Sequence, residues 1–151
     1  MPGALDKVLH PNDQQRIVEA IKAAERLSSV EIKVHVEAKC PGGDPLKRAH
    51  HLFQALGLTR TRDRNAVLVY LSVRDRRFTL LGDIKINEAP GSPFWAEAVQ
   101  RVNLALSRGA VGEALAGAVQ VLGRKFAARF PRQATDRNEI DNEITTDENA
   151  T

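Results

Sequence analysis

Six oxygen-bearing side chains, Glu31, Asp63, Asn65, Asp83, Asn87 and Glu88, offer the most concentrated chemistry in this sequence. They come from three separate segments, and strand arithmetic places them together. The short apolar run Ala66–Leu71 reads as a buried strand that turns at Arg74–Asp75 and returns through Phe78, Leu80 and Leu81. With a two-residue turn there, Val73 faces Arg76 and opposed positions sum to 149. Asp83 then lies opposite Ala66 and Ile84 opposite Asn65, while a parallel strand beginning at Glu31 starts at the same end. An all-oxygen set suits a hard divalent cation such as Ca²⁺ or Mg²⁺, which takes about six to eight oxygen ligands. Clustered carboxylates repel unless a cation or a basic partner joins them. The alternative is internal: Asp63 pairs with Arg62 or Arg64, Asp83 caps the loop, and Asn87 serves a turn. The set lacks the fixed spacing of an EF-hand loop, and Lys85 puts a positive charge inside it.

Other constellations carry less. His50 and His51 point about 100° apart on a helix and cannot share one metal, and the sequence has no Cys-x-x-Cys or His-x-x-x-His. Cys40 needs an orienting histidine to act as a nucleophile, for which His35 is the candidate. The turn CPGGD could receive an anion at a helix N-terminus, or simply reverse the chain. There is no P-loop, dinucleotide fingerprint or Gly-x-Ser-x-Gly. Trp95 could flank the acidic rim or pack in the core.

The elements that must position these residues follow from periodicity. Residues 1–11 read as frayed. Asn12 with Gln15 resembles a capping box for a helix over about 13–28, with the stripe Ile17, Ala20, Ile21, Ala24 and Leu27. Val30, Ile32, Val34 and Val36 alternate with Glu31, Lys33, His35 and Glu37, a strand near a sheet edge with one face wet or partly covered. Asp44-Pro45 starts a second helix (about 45–56) that Gly57 ends. That helix links the two strands in a right-handed βαβ unit. Two more helices follow, over about 93–107 and 111–129, with a fourth short strand possible around Ile84–Asn87. The expected fold is α/β, a small mixed sheet of three to four strands with about four helices packed on it.

With 151 residues, 42% apolar and 27% charged, the chain has the size and composition of one globular domain, at residues 12–131. No apolar run approaches the roughly 18 residues that would span a bilayer, and the N-terminus lacks the apolar region of a secretory signal. A cytoplasmic monomer is the default. Residues 133–151 carry six acids and one base, so the net +3 leaves +8 on the rest. Residues 132–151 therefore read as a disordered acidic tail. The basic residues are spread over every segment with only seven aromatics, which argues against nucleic-acid binding.

The pieces VEIKVHVE, DPLKRAHHLFQALGL, RTRDRNAVLVYL, DRRFTLLGD-x-x-INE, FW and LGRKFAARFP, in this order over about residues 10–131, resemble the TPM domain family. The match is to its short bacterial members that lack a membrane anchor. The resemblance implies a three-layer α/β/α sandwich with a shallow depression near the strand ends that binds a divalent metal, calcium in some members. The polar positions of RDRNAV and GDIKINE fall on the rim already selected. Two positions depart from the pattern: Ala66 and Lys85 each stand where the family has glycine, and a positive φ at Lys85 would strain it.

Two functions follow from the resemblance. One is a calcium-binding module with a regulatory or partner-binding role and an unknown protein partner. The other is a metal-assisted, acid-phosphatase-like phosphomonoesterase, in which Arg64 and Lys85 clamp phosphate and Asp83 acts as base. No covalent-phosphatase motif accompanies the second.

Overall fold

The computed structural model describes residues 3–87, 93–134 and 136–147. Its sheet has the order β1 (Glu31–Glu37), β2 (Ala66–Ser72), β3 (Arg77–Gly82). β1 and β2 run parallel with Glu31 beside Ala66, and β2 and β3 antiparallel with Val67 beside Gly82. The register is the one that the hairpin arithmetic requires. The loop is longer than two residues, however, because the ladder ends at the Ser72–Arg77 pair. Arg76 adopts φ 52°, and the Asp75 carboxylate closes the loop by accepting from Ser72 Oγ and from the Cys40 amide (3.0 Å).

β2 is buried at every position, as its unbroken apolar run demands. The α2 helix (Pro45–Ala55) makes the parallel crossover. Asp44 Oδ1 accepts from the Leu46 and Lys47 amides at 3.0 and 3.3 Å, and Gly57 at φ 70° ends the turn. With Asp44 on those amides, the anion reading of CPGGD loses its donors.

One face of the sheet is covered by α1 (Pro11–Leu27) and α5 (Val111–Arg129). These two approach closely, since a Cβ on Gly123 would lie 2.7 Å from Ala24 Cβ. Between them and the sheet, Ile17, Ile21, Leu115, Val119 and Phe126 meet Ile32, Val34, Val36, Val67, Val69 and Leu71. The α4 helix (Pro93–Ser107) packs against α5. The opposite face, with Leu68 and Tyr70, takes Ala49, Leu52 and Phe53 of α2. The chain is thus an α/β/α sandwich.

Four expectations change. The N-cap of α1 is His10, whose Nδ1 accepts from the Asn12 amide (3.1 Å) ahead of Pro11, so the Asn12–Gln15 box is not used. Residues 5–7 form a 3₁₀ turn, and Gln14 Nε2 ties Asp6 Oδ1 (2.7 Å) and the Leu9 carbonyl (2.8 Å) to α1. The stretch Ile84–Asn87 is a short helix, α3, instead of a fourth strand, and its turn opens with the Ile84 amide on Asp83 Oδ1 (2.8 Å).

The fourth change concerns the acidic tail. Residues 136–147 do not dangle but run along β1. The Thr145 amide donates to Val34 O (3.0 Å), and the Val36 amide donates to Thr145 O (2.9 Å), one parallel rung beside His35. Ile144, Thr145 and Thr146 are buried. A composition argument missed this because the tail joins an existing sheet and needs no core of its own.

Candidate functional site

The rim at the start of β1 and β2 gathers Glu31, Asn65 and Asp83 on neighbouring strand ends, since the Glu31 amide donates to Asn65 O (3.2 Å) and the Asp83 amide to Ala66 O (2.9 Å). Their side chains find different partners. Asp83, 5% exposed, receives both arms of the Arg64 guanidinium, Nε to Oδ2 at 2.6 Å and Nη2 to Oδ1 at 2.7 Å. Asp63 pairs with Arg62 (2.9 Å), which holds its carboxyl below the usual range. Glu31 Oε1 accepts from the Glu139 amide (2.7 Å). Asn65 Nδ2 donates to Ser29 O (2.5 Å), while its Oδ1 is buried without a partner. Glu88 and the Asn87 and Trp95 side chains lie outside the described residues.

Among the described residues, no three His, Cys, Asp or Glu side chains are placed to hold one metal ion. The donor set explains why. Both oxygens of Asp83 face a guanidinium, and Glu31 and Asp63 each have a partner of their own, so the described residues do not fit a bound divalent cation. Arg64 itself adopts φ 52°, an uncommon conformation for a residue with a Cβ. Its carbonyl accepts from the Lys85 amide (3.2 Å). Lys85 itself sits in α3 without positive φ, so the glycine-to-lysine change brings no strain.

A second set of groups, unmarked as a site by sequence, lines the other face of β1. Glu31, Lys33, His35 and Glu37 alternate with the core valines and isoleucine, yet every one is buried. Glu37 Oε1 and Oε2 receive Arg48 Nη2 (2.7 Å) and Nε (2.8 Å), and Oε2 also accepts from Tyr70 OH. Burial alone would raise the Glu37 carboxyl, but hydrogen bonds from Arg48, His35 and Tyr70 overcome it and hold it at about 2. Tyr70 is pushed well above its ordinary range by burial and by Glu37, so it remains a protonated donor.

His35 stacks on Tyr70 and has both ring nitrogens engaged, Nδ1 with Thr145 Oγ1 (2.8 Å) and Nε2 with Glu37 Oε1 (3.3 Å). A histidine so held is not free to activate Cys40, which answers that reading. Lys33 Nζ contacts Asp141 Oδ1 and Glu143 O, each at 2.7 Å.

Further along, Glu25 of α1 accepts from the Ile32 amide (2.9 Å). With its amide nitrogen toward the carboxylates, Asn138 bridges Glu25 Oε1 (3.2 Å) and Glu31 Oε2 (3.0 Å). Burial raises Glu25 to about 8 against the opposing Ile32 amide, and Glu31 is raised as well, again chiefly by burial. The signals available in sequence were the four alternating ionisable residues, a lone tyrosine inside an apolar strand, and an acidic tail on a basic body.

The family model of the TPM domain matches residues 5–125, a span that contains the whole sheet and helices α1 to α4. The chain belongs to the TPM domain family. It is similar to the BA42 protein of the psychrophilic bacterium Bizionia argentinensis, known from an NMR structure, at 31% identity over 91% of this chain and 94% of that one, with a TM-score of 0.85. The N-terminal domain of cg2496 from Corynebacterium glutamicum shares the fold at 18% identity, TM-score 0.60, over 90% of this chain and 79% of that one. No curated protein matches the sequence. Among the described residues of this TPM domain, no helix is long and apolar enough to cross a membrane.

Proposed function

We propose that this TPM domain is a binding module that acts through a protein partner and catalyses no reaction of its own. The observation that carries this reading is the two-armed Arg64–Asp83 pair. It uses Asp83, the residue assigned as base or cation ligand, together with Arg64, the residue assigned as phosphate clamp, to close the loop on which both would act. A charged hydrogen-bonded pair of this kind fixes backbone geometry. It leaves the phosphomonoesterase reading without its base and one of its two cations. It also supplies from within the chain the positive charge that calcium would bring to the rim.

Thermal unfolding of the wild-type chain with excess CaCl₂ and with EDTA tests this. A ligand that binds only the native state raises stability by RT ln(1 + [L]/Kd). The expected result is superimposable melting curves, and no hydrolysis of p-nitrophenyl phosphate above that of the Asp83→Asn variant. A calcium-dependent rise in Tm that Asp83→Asn abolishes would establish the cation-binding reading instead.

A further inference from the structure

We propose that the outer edge and polar face of β1 form a docking site for an extended acidic segment of a partner protein, a site that the chain's own residues 139–145 occupy here. The inference rests on the partner-binding reading and names the surface and the chemistry of the partner.

The contacts along the strand read a defined pattern. Glu31 Oε1 receives a backbone amide, that of Glu139. Lys33, with its side chain 5% exposed, takes a carboxylate at Asp141 and a backbone carbonyl at Glu143. Ile144 enters the apolar core beside Val34, and the Thr145 hydroxyl meets His35 while its backbone pairs with Val34 and Val36. An acid, an aliphatic residue three positions on and a hydroxyl residue next to it, in extended form, satisfy all of these groups. This is strand addition to a sheet edge, in which main-chain bonds supply affinity and alternate side chains supply selectivity.

The hold of the tail is light enough for exchange. It uses one ladder rung of a seven-residue strand, and the Asp141 side chain on Lys33 is 69% exposed, where solvent and salt weaken the pair. Charge points the same way, since the edge presents the Lys33 ammonium to the Asp141 carboxylate on a body whose net charge is positive, and the Arg62 backbone amide donates to Glu139 Oε2 (3.0 Å). A cleft of about 330 Å³ along this line, bordered by Lys33, Gly57, Ile140 and Thr145, leaves room beside the bound tail. A partner segment that pairs over more of β1 would displace the tail.

The probe is a fluorescein-labelled peptide with the sequence of residues 138–147, added to full-length chain. A tethered segment competes at a high effective concentration, so wild type should bind the peptide at least about tenfold more weakly than Ile144→Asp/Thr145→Pro, in which the tail loses its apolar anchor and its amide. Adding Lys33→Met to that variant should weaken the peptide again by about tenfold, the worth of one charge-assisted contact. Equal affinity for wild type and the tail variant, or no binding to a tail variant that unfolds cooperatively, overturns the proposal.

If the tail variant does not fold, ¹⁵N-labelled wild type with excess unlabelled peptide decides. Displacement moves the chain's own Thr145 amide resonance toward that of an unstructured peptide, while Val34 and Val36, refilled by the same sequence, keep theirs, and an unmoved Thr145 resonance counts against the site. The calcium experiment is independent of both, so a failure here leaves the reading of the rim intact, and a failure there leaves this one.

Discussion

The two faces of β1 are equally dry and are closed by different means. On one, Ile32, Val34 and Val36 meet α1 and α5, and surface area alone is enough. On the other, Glu31, Lys33, His35 and Glu37 each need a particular atom opposite. Three of those partner sets come from the tail and one from α2 and Tyr70. The apolar face tolerates any side chain of the right volume, whereas the polar face is specific and can be undone by one lost partner.

The comparison breaks most severely at Arg48. Arg48→Ala leaves the Glu37 carboxylate buried beside Tyr70 with its chief counter-charge gone, and a loss of about 3–5 kcal/mol in urea unfolding is expected. Because Glu37 is depressed to about 2 in the fold, it contributes stability that is present above its unfolded value near 4.5 and lost as pH falls toward 2. Glu37→Gln should therefore flatten that part of the pH–stability profile, and an unchanged acid limb would count against the network.

Glu25 gives the opposite sign. Its carboxyl is raised to about 8, so the fold holds a proton that the unfolded chain releases. Stability from this group is full below about 4.5 and declines as pH rises toward 8. Glu25→Gln is expected to be neutral near pH 4 and stabilising by roughly a few kcal/mol near pH 8, read as Tm against pH. A variant destabilised equally at both ends would show that the Asn138 and Ile32 contacts need both Glu25 oxygens whatever their protonation.

Smaller effects sharpen the contrast. Lys33→Met should speed exchange of the Thr145 amide by about tenfold or more while the Val69 amide, inside the sheet, keeps its protection. On the apolar face, Ile32→Val should cost only about 1 kcal/mol and leave the tail bound. A tail released by Ile32→Val would mean that the two faces are not separable.

How much of this was legible in sequence follows the same division. Alternation in residues 30–37, the apolar run at 66–71 and the proline and glycine punctuation around 44–57 gave strand order, register and helix ends, because each reflects a local periodicity or a single backbone preference. Hairpin arithmetic correctly brought Glu31, Asn65 and Asp83 to one rim. It could not tell that Arg64, at an unusual φ, would turn onto Asp83. Nor could composition show that an acidic tail has a buried lysine to meet, since Lys33 and Asp141 are 108 residues apart and only the fold makes them neighbours.

Three of the four partner sets on the polar face, those of Glu31, Lys33 and His35, require the tail to be part of the sheet. Amide hydrogen exchange on the ¹⁵N-labelled wild-type chain tests this most directly. The Thr145 amide, donating to Val34 O, and the Val36 amide, donating to Thr145 O, should be protected together and to a similar degree, and both should lose protection in Ile144→Asp. A Thr145 amide exchanging at the rate of an unstructured peptide in wild type would contradict the account.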